Sequence, residues 1–513
     1  MRKLILILCL VPVLAFESKV LGQSAFINQQ PVDKTSNPSD YKKNIEVYSI
    51  ALNLKNQSNS DIARLHLLRG INETALNKYD KAIADYSATI ALAPLSIDAY
   101  SYRAENYRLI NKYQLSINDD EIQLSLIKND SSRIAVLYND IAFSERQLGQ
   151  YSKAIKYCSK AIDMDNSYGA AYANRAELYA LSGEYQLAQN DFTKALDGYQ
   201  HNKALLSILY LERANARRSS KQYLYAINDY SYAIDLDRDN KIAYWNRAMT
   251  YDLNGDYQLA DEDYSKAISY YKNDEVSLSN LYHDRAQMET RLHQPKKAIE
   301  DETKAISIDS KFRDAYLGKA GAYAQNGDHQ LSINYYTKAI GLFRDNKHTL
   351  SIIYNGIAGE AYFLGDYKGS VSASTSAIAM DATAWAPYLN RGKAYLKQLN
   401  KELSMRDFNK VLQMDASKKS YEYAFALFYT GHPDQAIAVL QKNLISTTDS
   451  SVLINRYYDL ACLFSLMNKP EESNIYLKKC IEAGYPKKYL IADADLNTIN
   501  RTKEFKDNIH DSL

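Results

Sequence analysis

Proline and glycine are scarce in this chain, at 9 and 18 of 513 residues. So few breakers over that length fit long helices joined by short turns. Cysteine is scarcer still, and the 4 present are too few and too scattered for a disulfide framework. Neither sign of charge dominates: 62 Lys and Arg stand against 61 Asp and Glu, with no basic stripe, which argues against a nucleic-acid partner. Beyond the N-terminus no run is apolar enough for a membrane helix, so no transmembrane anchor is expected. The 8 histidines lie at no metal-ligand spacing, no HExxH occurs, and no glycine-rich loop follows a strand pattern. Catalytic, cofactor-binding and metal-ligating residues are therefore expected to be absent, and the chain reads as non-enzymatic.

What is present begins at the N-terminus, with Arg2 and Lys3 ahead of an apolar run from Leu4 to Phe16. A basic start, a short apolar core interrupted by Pro12 and small residues ahead of a cut form a secretory signal peptide over residues 1–22. Cleavage after Gly22 would remove Arg2, Lys3, Lys19 and Glu17 and move the formal charge from +1 to −1. Cys9 lies inside the apolar run rather than after it, which makes it a poor lipid-attachment site. The mature chain is expected to be exported.

The rest of the chain repeats. Small residues recur at Ala82, Ser116, Ala154, Ala188, Ala226, Ala260, Ala298, Ser332, Ser370 and Ser404, at intervals that alternate between 34 and 38. Repeats of this length indicate stacked helical pairs, each unable to bury its apolar face alone. In one unit Tyr172, Ala176 and Tyr179 line one side of a helix, Gly183 breaks it, and Leu187, Ala188, Asp191, Phe192, Ala195 and Leu196 form the next. A first aromatic recurs from Tyr100 to Tyr388, a small residue four on from Ala104 to Gly392, and a turn aromatic from Tyr79 to Tyr367. These residues resemble the tetratricopeptide repeat family, with twelve repeats over residues 61–484. The resemblance implies an all-α, right-handed α-solenoid. It is similar to exported, periplasmic or surface-associated repeat proteins of Gram-negative bacteria.

The alternation has its own reading. Odd repeats carry an extra apolar pair ahead of the small residue: Ile62/Leu65, Ile134/Leu137, Leu206/Leu209, Leu278/Leu281 and Leu350/Ile353. Four extra residues are about one helical turn. Odd first helices are thus expected to be one turn longer, making a 72-residue double repeat the building block. Residues 41–60 are expected to cap the array with an orphan second helix, after a flexible leader over 23–40 that holds Pro31 and Pro38. Residues 485–513 break the pattern at Tyr485-Pro486 and are expected to cap the far end, with a polar-faced helix over Asp493–Ile509. Cys158 and Cys480 fall at packing positions and are expected as buried free thiols; a Cys462–Cys480 bridge is the alternative for the last pair.

Of the 45 tyrosines, most of those at the recurring positions occupy the family's packing positions, so these are expected in the core. Arg103, Arg175, Arg213, Arg247, Arg285 and Arg391 recur at one register and are expected to pair with acids of an adjoining helix. The carboxylates Asp119, Asp120, Asp261 and Asp263 read as solvated faces. In proteins of the resembled family, ligands line the inner face of the first helices. The corresponding positions vary from repeat to repeat: Arg108, Asn139, Phe143, Arg146, Asn215, Arg218, Trp245 and Met249, with Glu105 and His283. That set suits an acidic, partly apolar peptide, whereas the Lys and Asn clamp of chaperone-tail binders is missing. The expected partner is a protein or peptide. Alternatives are a carbohydrate or envelope polymer, or the role of accessory subunit in an envelope enzyme or secretion complex.

Overall fold

A computed structural model describes residues 38–510, apart from 56, 416, 446–449, 486, 488–489, 491–493, 497 and 501. The expected signal peptide, and the expected leader up to residue 37, lie outside the described residues. Among the described residues the chain is helical throughout, with one short 3-10 turn at Ala494–Leu496. A helix over Pro38–Leu52 precedes twelve helical pairs, from Asn59–Ala75 with Tyr79–Leu92 to Ser450–Leu466 with Pro470–Glu482. This is an all-α helical repeat solenoid. Two compact units divide after Ala243. In the first unit, each helix from Pro38–Leu52 to Tyr223–Leu236 packs on the next in sequence. In the second, the same holds from Tyr257–Tyr270 to Pro470–Glu482.

The alternating interval is a difference in helix length. First helices Asn59–Ala75, Ser131–Gln147, Lys203–Ser219, Glu275–Arg291 and Lys347–Phe363 have 17 residues each. Those between them have 13 or 14, as in Ile97–Leu109 and Arg313–Asn326. The extra turn is built in two ways. Leu137, Leu209, Leu281 and Ile353 extend the buried stripe. Ser58, Asp130, Asn202, Asp274 and Asn346, spaced by 72, each accept a hydrogen bond from the backbone N–H three residues on. Such a cap satisfies an amide that would otherwise go unpaired, at about 1 kcal/mol.

The turn inside each pair is equally regular. One residue takes a left-handed conformation at Asn77, Asn111, Gly149, Gly183, Lys221, Gly255, His293, Gly327, Gly365 and Leu399, again at alternating intervals. The next residue then donates its N–H back into the first helix, as Gln150 does to the Glu145 carbonyl at 2.9 Å. The small residues that mark the repeat are fully buried, including Ala82, Ala176, Ala188 and Ala248. At Gly70 even a methyl group would not fit, since its Cβ would meet the Tyr86 ring at 2.7 Å.

A polar spine runs through the packing. Arg175 donates from Nε and Nη2 to both oxygens of Asp191, at 2.7 and 2.9 Å, and from Nη1 to Ser159 Oγ of the preceding repeat at 3.0 Å. The same fork joins Arg69 to Asp85, Arg103 to Asp119, Arg213 to Asp229, Arg247 to Asp263, Arg285 to Asp301 and Arg391 to Asp407. Tyrosines cover the guanidinium, as Tyr172 and Tyr179 do at 5.7 and 5.9 Å from Arg175. Where the arginine is missing its acid is missing too: Ile141 stands with Tyr157, and Lys319 with Tyr335. The spine corrects the reading of Asp119, Asp120 and Asp263 as solvated. All three are buried, because each has an arginine to meet there, and Asp261 is half-buried. Cys158, Cys462 and Cys480 are buried free thiols, so the bridge alternative is not taken.

Candidate functional site

The positions expected on the inner face lie on first helices, and Arg108, Asn139, Phe143, Arg146 and Trp245 are met by a neighbouring repeat. In the first unit, Arg108 Nη1 donates to Asp120 Oδ2 and Ser116 Oγ, both at 2.7 Å, and Nη2 lies 3.4 Å from Asp140 of the next repeat. Burial pushes the Asp120 and Asp140 carboxyls up, and the Arg108 charge pulls them partly back. Asn139 is buried and accepts from Asn174 at 2.7 Å. Arg146 pairs with Glu177. Asn215 accepts from the Tyr230 hydroxyl at 2.6 Å. Phe143, half-buried, meets Tyr113 edge-on with centroids 6.5 Å apart, and Arg218 is half-buried.

The expectation of an arginine-lined surface for an acidic peptide is thus corrected at Arg108 and Arg146. Arg108 is matched by Asp120 of its own repeat and approaches Asp140 of the next, and Arg146 is matched by Glu177 of the next repeat, so both charges are met within the chain. Phe143, Asn215 and Arg218 keep accessible area in this unit.

In the second unit, Trp245 donates its indole N–H to Asp284 at 3.2 Å and meets Tyr271 edge-on at 5.5 Å. Met249 is half-buried against the same apolar cluster. Burial pushes the Asp284 carboxyl up to about 6. Beside it, His283 Nδ1 lies 3.0 Å from Glu302. Burial opposes charge on this imidazole, but the Glu302 carboxylate outweighs it and holds His283 up at about 9.

Glu302 and Asp120 were readable in advance by one signal. Both occupy the second-helix position filled by a ring in Tyr86, Phe192, Tyr230, Tyr264, Tyr336 and Phe408. A carboxylate in a column of rings must find a cation, and these find His283 and Arg108. Among the described residues no group of three or more His, Cys, Asp or Glu could hold a metal ion. No described helix is long and apolar enough to cross a membrane.

The array of paired helices, small-residue contacts and left-handed turns defines a helical repeat protein. Family models described as tetratricopeptide repeat match residues 133–201, 242–274 and 314–346. Together with the repeat geometry, these matches support a tetratricopeptide repeat protein. A TPR repeat-containing protein of Methanocaldococcus jannaschii is 25% identical over 320 residues, covering 58% of this chain and 53% of its own. The human mitochondrial import receptor subunit TOM70 is 22% identical over 348 residues, covering 64% and 57%. The chain thus spans about half the length of the curated relatives it matches. Among solved structures, the C-terminal part of a TPR repeat-containing protein from Cytophaga hutchinsonii has a TM-score of 0.42 at 20% identity, covering 48% of this chain and 97% of that one.

Proposed function

We propose that this chain is an exported, non-enzymatic scaffold that binds a protein or peptide segment along the inner face of its first helices. One observation carries the reading: the packing columns repeat with little change, while the inner-face positions differ from repeat to repeat. Phe143, Asn215 and Arg218 in one unit, and Trp245 and Met249 in the other, offer apolar and hydrogen-bonding groups of the kind a peptide uses. Resemblance to a family of protein-binding repeats supports it. So does the name of the human relative, an import receptor subunit. Export rests on the basic start and apolar run at the N-terminus. Much of the tyrosine that suggested a carbohydrate ligand is engaged in ring packing and in covering the arginine spine.

A photo-crosslinking amino acid placed at Phe143 or Met249 tests the reading, with Tyr225 and Tyr232 on an outward-facing second helix as controls; these two are 64% and 52% exposed. Adducts with one protein from the inner positions are the expected result. Adducts from Tyr225 and Tyr232 alone, or retention only on envelope glycan, would overturn it.

A further inference from the structure

The segment that follows the last repeat lies against the first helices of the last three repeats. After Pro470–Glu482 the chain turns at Gly484, which has a φ of 100°. A cap stacked on the final repeat would touch that repeat alone. Here Asp495 Oδ2 reaches Lys393 Nζ at 2.8 Å, on the first helix two repeats back and 102 positions earlier. Tyr485 stacks on Tyr458 with centroids 4.9 Å apart. Thr498 donates its hydroxyl to the Ser465 carbonyl at 2.6 Å. Leu490, Leu496 and Ile499 are fully buried in one cluster with Leu389, Phe425 and Cys462. Lys393, Tyr458 and Ser465 hold the register that Phe143, Trp245 and Arg146 hold in earlier repeats. The expected polar-faced helix over Asp493–Ile509 is instead a 3-10 turn at Ala494–Leu496 and a separate helix over Lys503–His510.

Lys393 sets the chemistry of this surface. Its ammonium lies 5.0 Å from the Tyr362 ring and 5.7 Å from the Phe425 ring, and its side chain is 18% exposed. A cation so enclosed needs an anion from whatever covers it. Beside it, the apolar surface takes one leucine adjacent to that anion and an aliphatic residue three further on.

We propose that the inner face of repeats ten to twelve is a peptide-binding site held closed by the chain's own segment, and that a partner segment with an acidic residue, an adjacent leucine and a following aliphatic residue competes for it. The proposal rests on the inner face being the recognition surface. It concerns other residues than the crosslinking test at Phe143 and Met249, so the two can fail separately.

The probe is a fluorescein-labelled peptide of residues 485–500, added to the wild-type chain and to an Asp495→Ala/Leu496→Ala/Ile499→Ala variant. The variant is expected to bind it at least about tenfold more tightly, because the competing segment no longer holds the site. The same peptide carrying Asp495→Ala is expected to lose about tenfold in affinity. Equal binding to both proteins, or none to a variant of wild-type helicity, would overturn the proposal. Should the variant lose helicity, hydrogen exchange of the wild-type chain decides. Amides of Ala494–Leu496 are expected to exchange faster than those of Ser450–Leu466, and exchange at one common rate would show a permanent core element instead. A wild-type dimer by light scattering with exchanged segments would also overturn it, since the surface would then serve self-assembly.

Discussion

Gly318 makes room for the carboxylate of Glu302: a Cβ at Gly318 would lie 1.8 Å from Glu302 Oε1. Glu302 is 1% exposed and held by His283, so it cannot swing into solvent. Gly318→Ala must therefore push the carboxylate off its partner, and it should destabilise the chain by about 1–3 kcal/mol. Gly321, one turn along the same helix, leaves open space where an added methyl would stand, with nothing within 4 Å of it. Gly321→Ala should thus stabilise by about 0.5–1 kcal/mol through helix propensity. Opposite shifts of the thermal midpoint are the expected result. Adding Glu302→Ala to Gly318→Ala should cost less than the two single losses combined.

The arginine spine makes a second prediction, because the chain contains its own replacement. Arg175→Ala leaves Asp191 buried without its fork and should cost about 3 kcal/mol. At the same register of the preceding repeat stand Ile141 and Tyr157, an apolar pair that needs no charge. Arg175→Ile with Asp191→Tyr should thus recover at least half of the loss, measured as the thermal midpoint against the single variant. A double variant as unstable as Arg175→Ala would mean that the link to Ser159, and not the charge pair, carries the stability.

The features that were legible in the sequence are those that recur. The alternating interval foretold the longer odd first helices, because a turn of helix is a fixed number of residues and the apolar pair Leu206/Leu209 extends its stripe by that amount. The Arg175–Asp191 type of contact was legible too, since it returns in most repeats. Arg108 and Arg146 misled because Asp140 and Glu177, which they meet in the following repeat, form no periodic series, and because Asp120, the nearer partner of Arg108, stands where other repeats carry a ring. The Lys393–Asp495 contact was invisible for a related reason: it joins an array position to a segment outside the repeat, where periodicity carries no information.

Leu399 is 86% exposed and sits at the left-handed turn position with a φ of 63°, where most repeats place glycine or asparagine. A leucine there brings its Cβ against the following carbonyl, at about 1–2 kcal/mol. No packing is lost on removing so exposed a side chain. Leu399→Gly should therefore raise stability, by about 0.5–1 kcal/mol after the added freedom of glycine in the unfolded chain is counted. A urea titration of the two proteins checks it, and an unchanged midpoint would show that the turn is held without strain.

Stability should fall as pH rises from mildly acidic to alkaline. Burial pushes the Glu289 carboxyl up to about 8, helped by Asp301 and Asp261 and resisted by Arg285 and Lys297. Unfolded, this group titrates near 4.5, so between 4.5 and 8 the folded chain binds the extra proton and each step up in pH favours unfolding. His283 acts in the same direction over a higher window: held at about 9 when folded against 6.5 unfolded, its contribution is complete below 6.5 and lost by about 9. The thermal midpoint should thus drop steadily between about pH 5 and pH 9, values that span both windows. Glu289→Gln keeps the shape of the side chain and removes its titration, so the variant should lose the lower part of that slope and keep the part due to His283. A variant whose midpoint tracks the wild type across the whole range would place the Glu289 carboxyl in ordinary solvent contact, against its 4% exposure in the packed repeat.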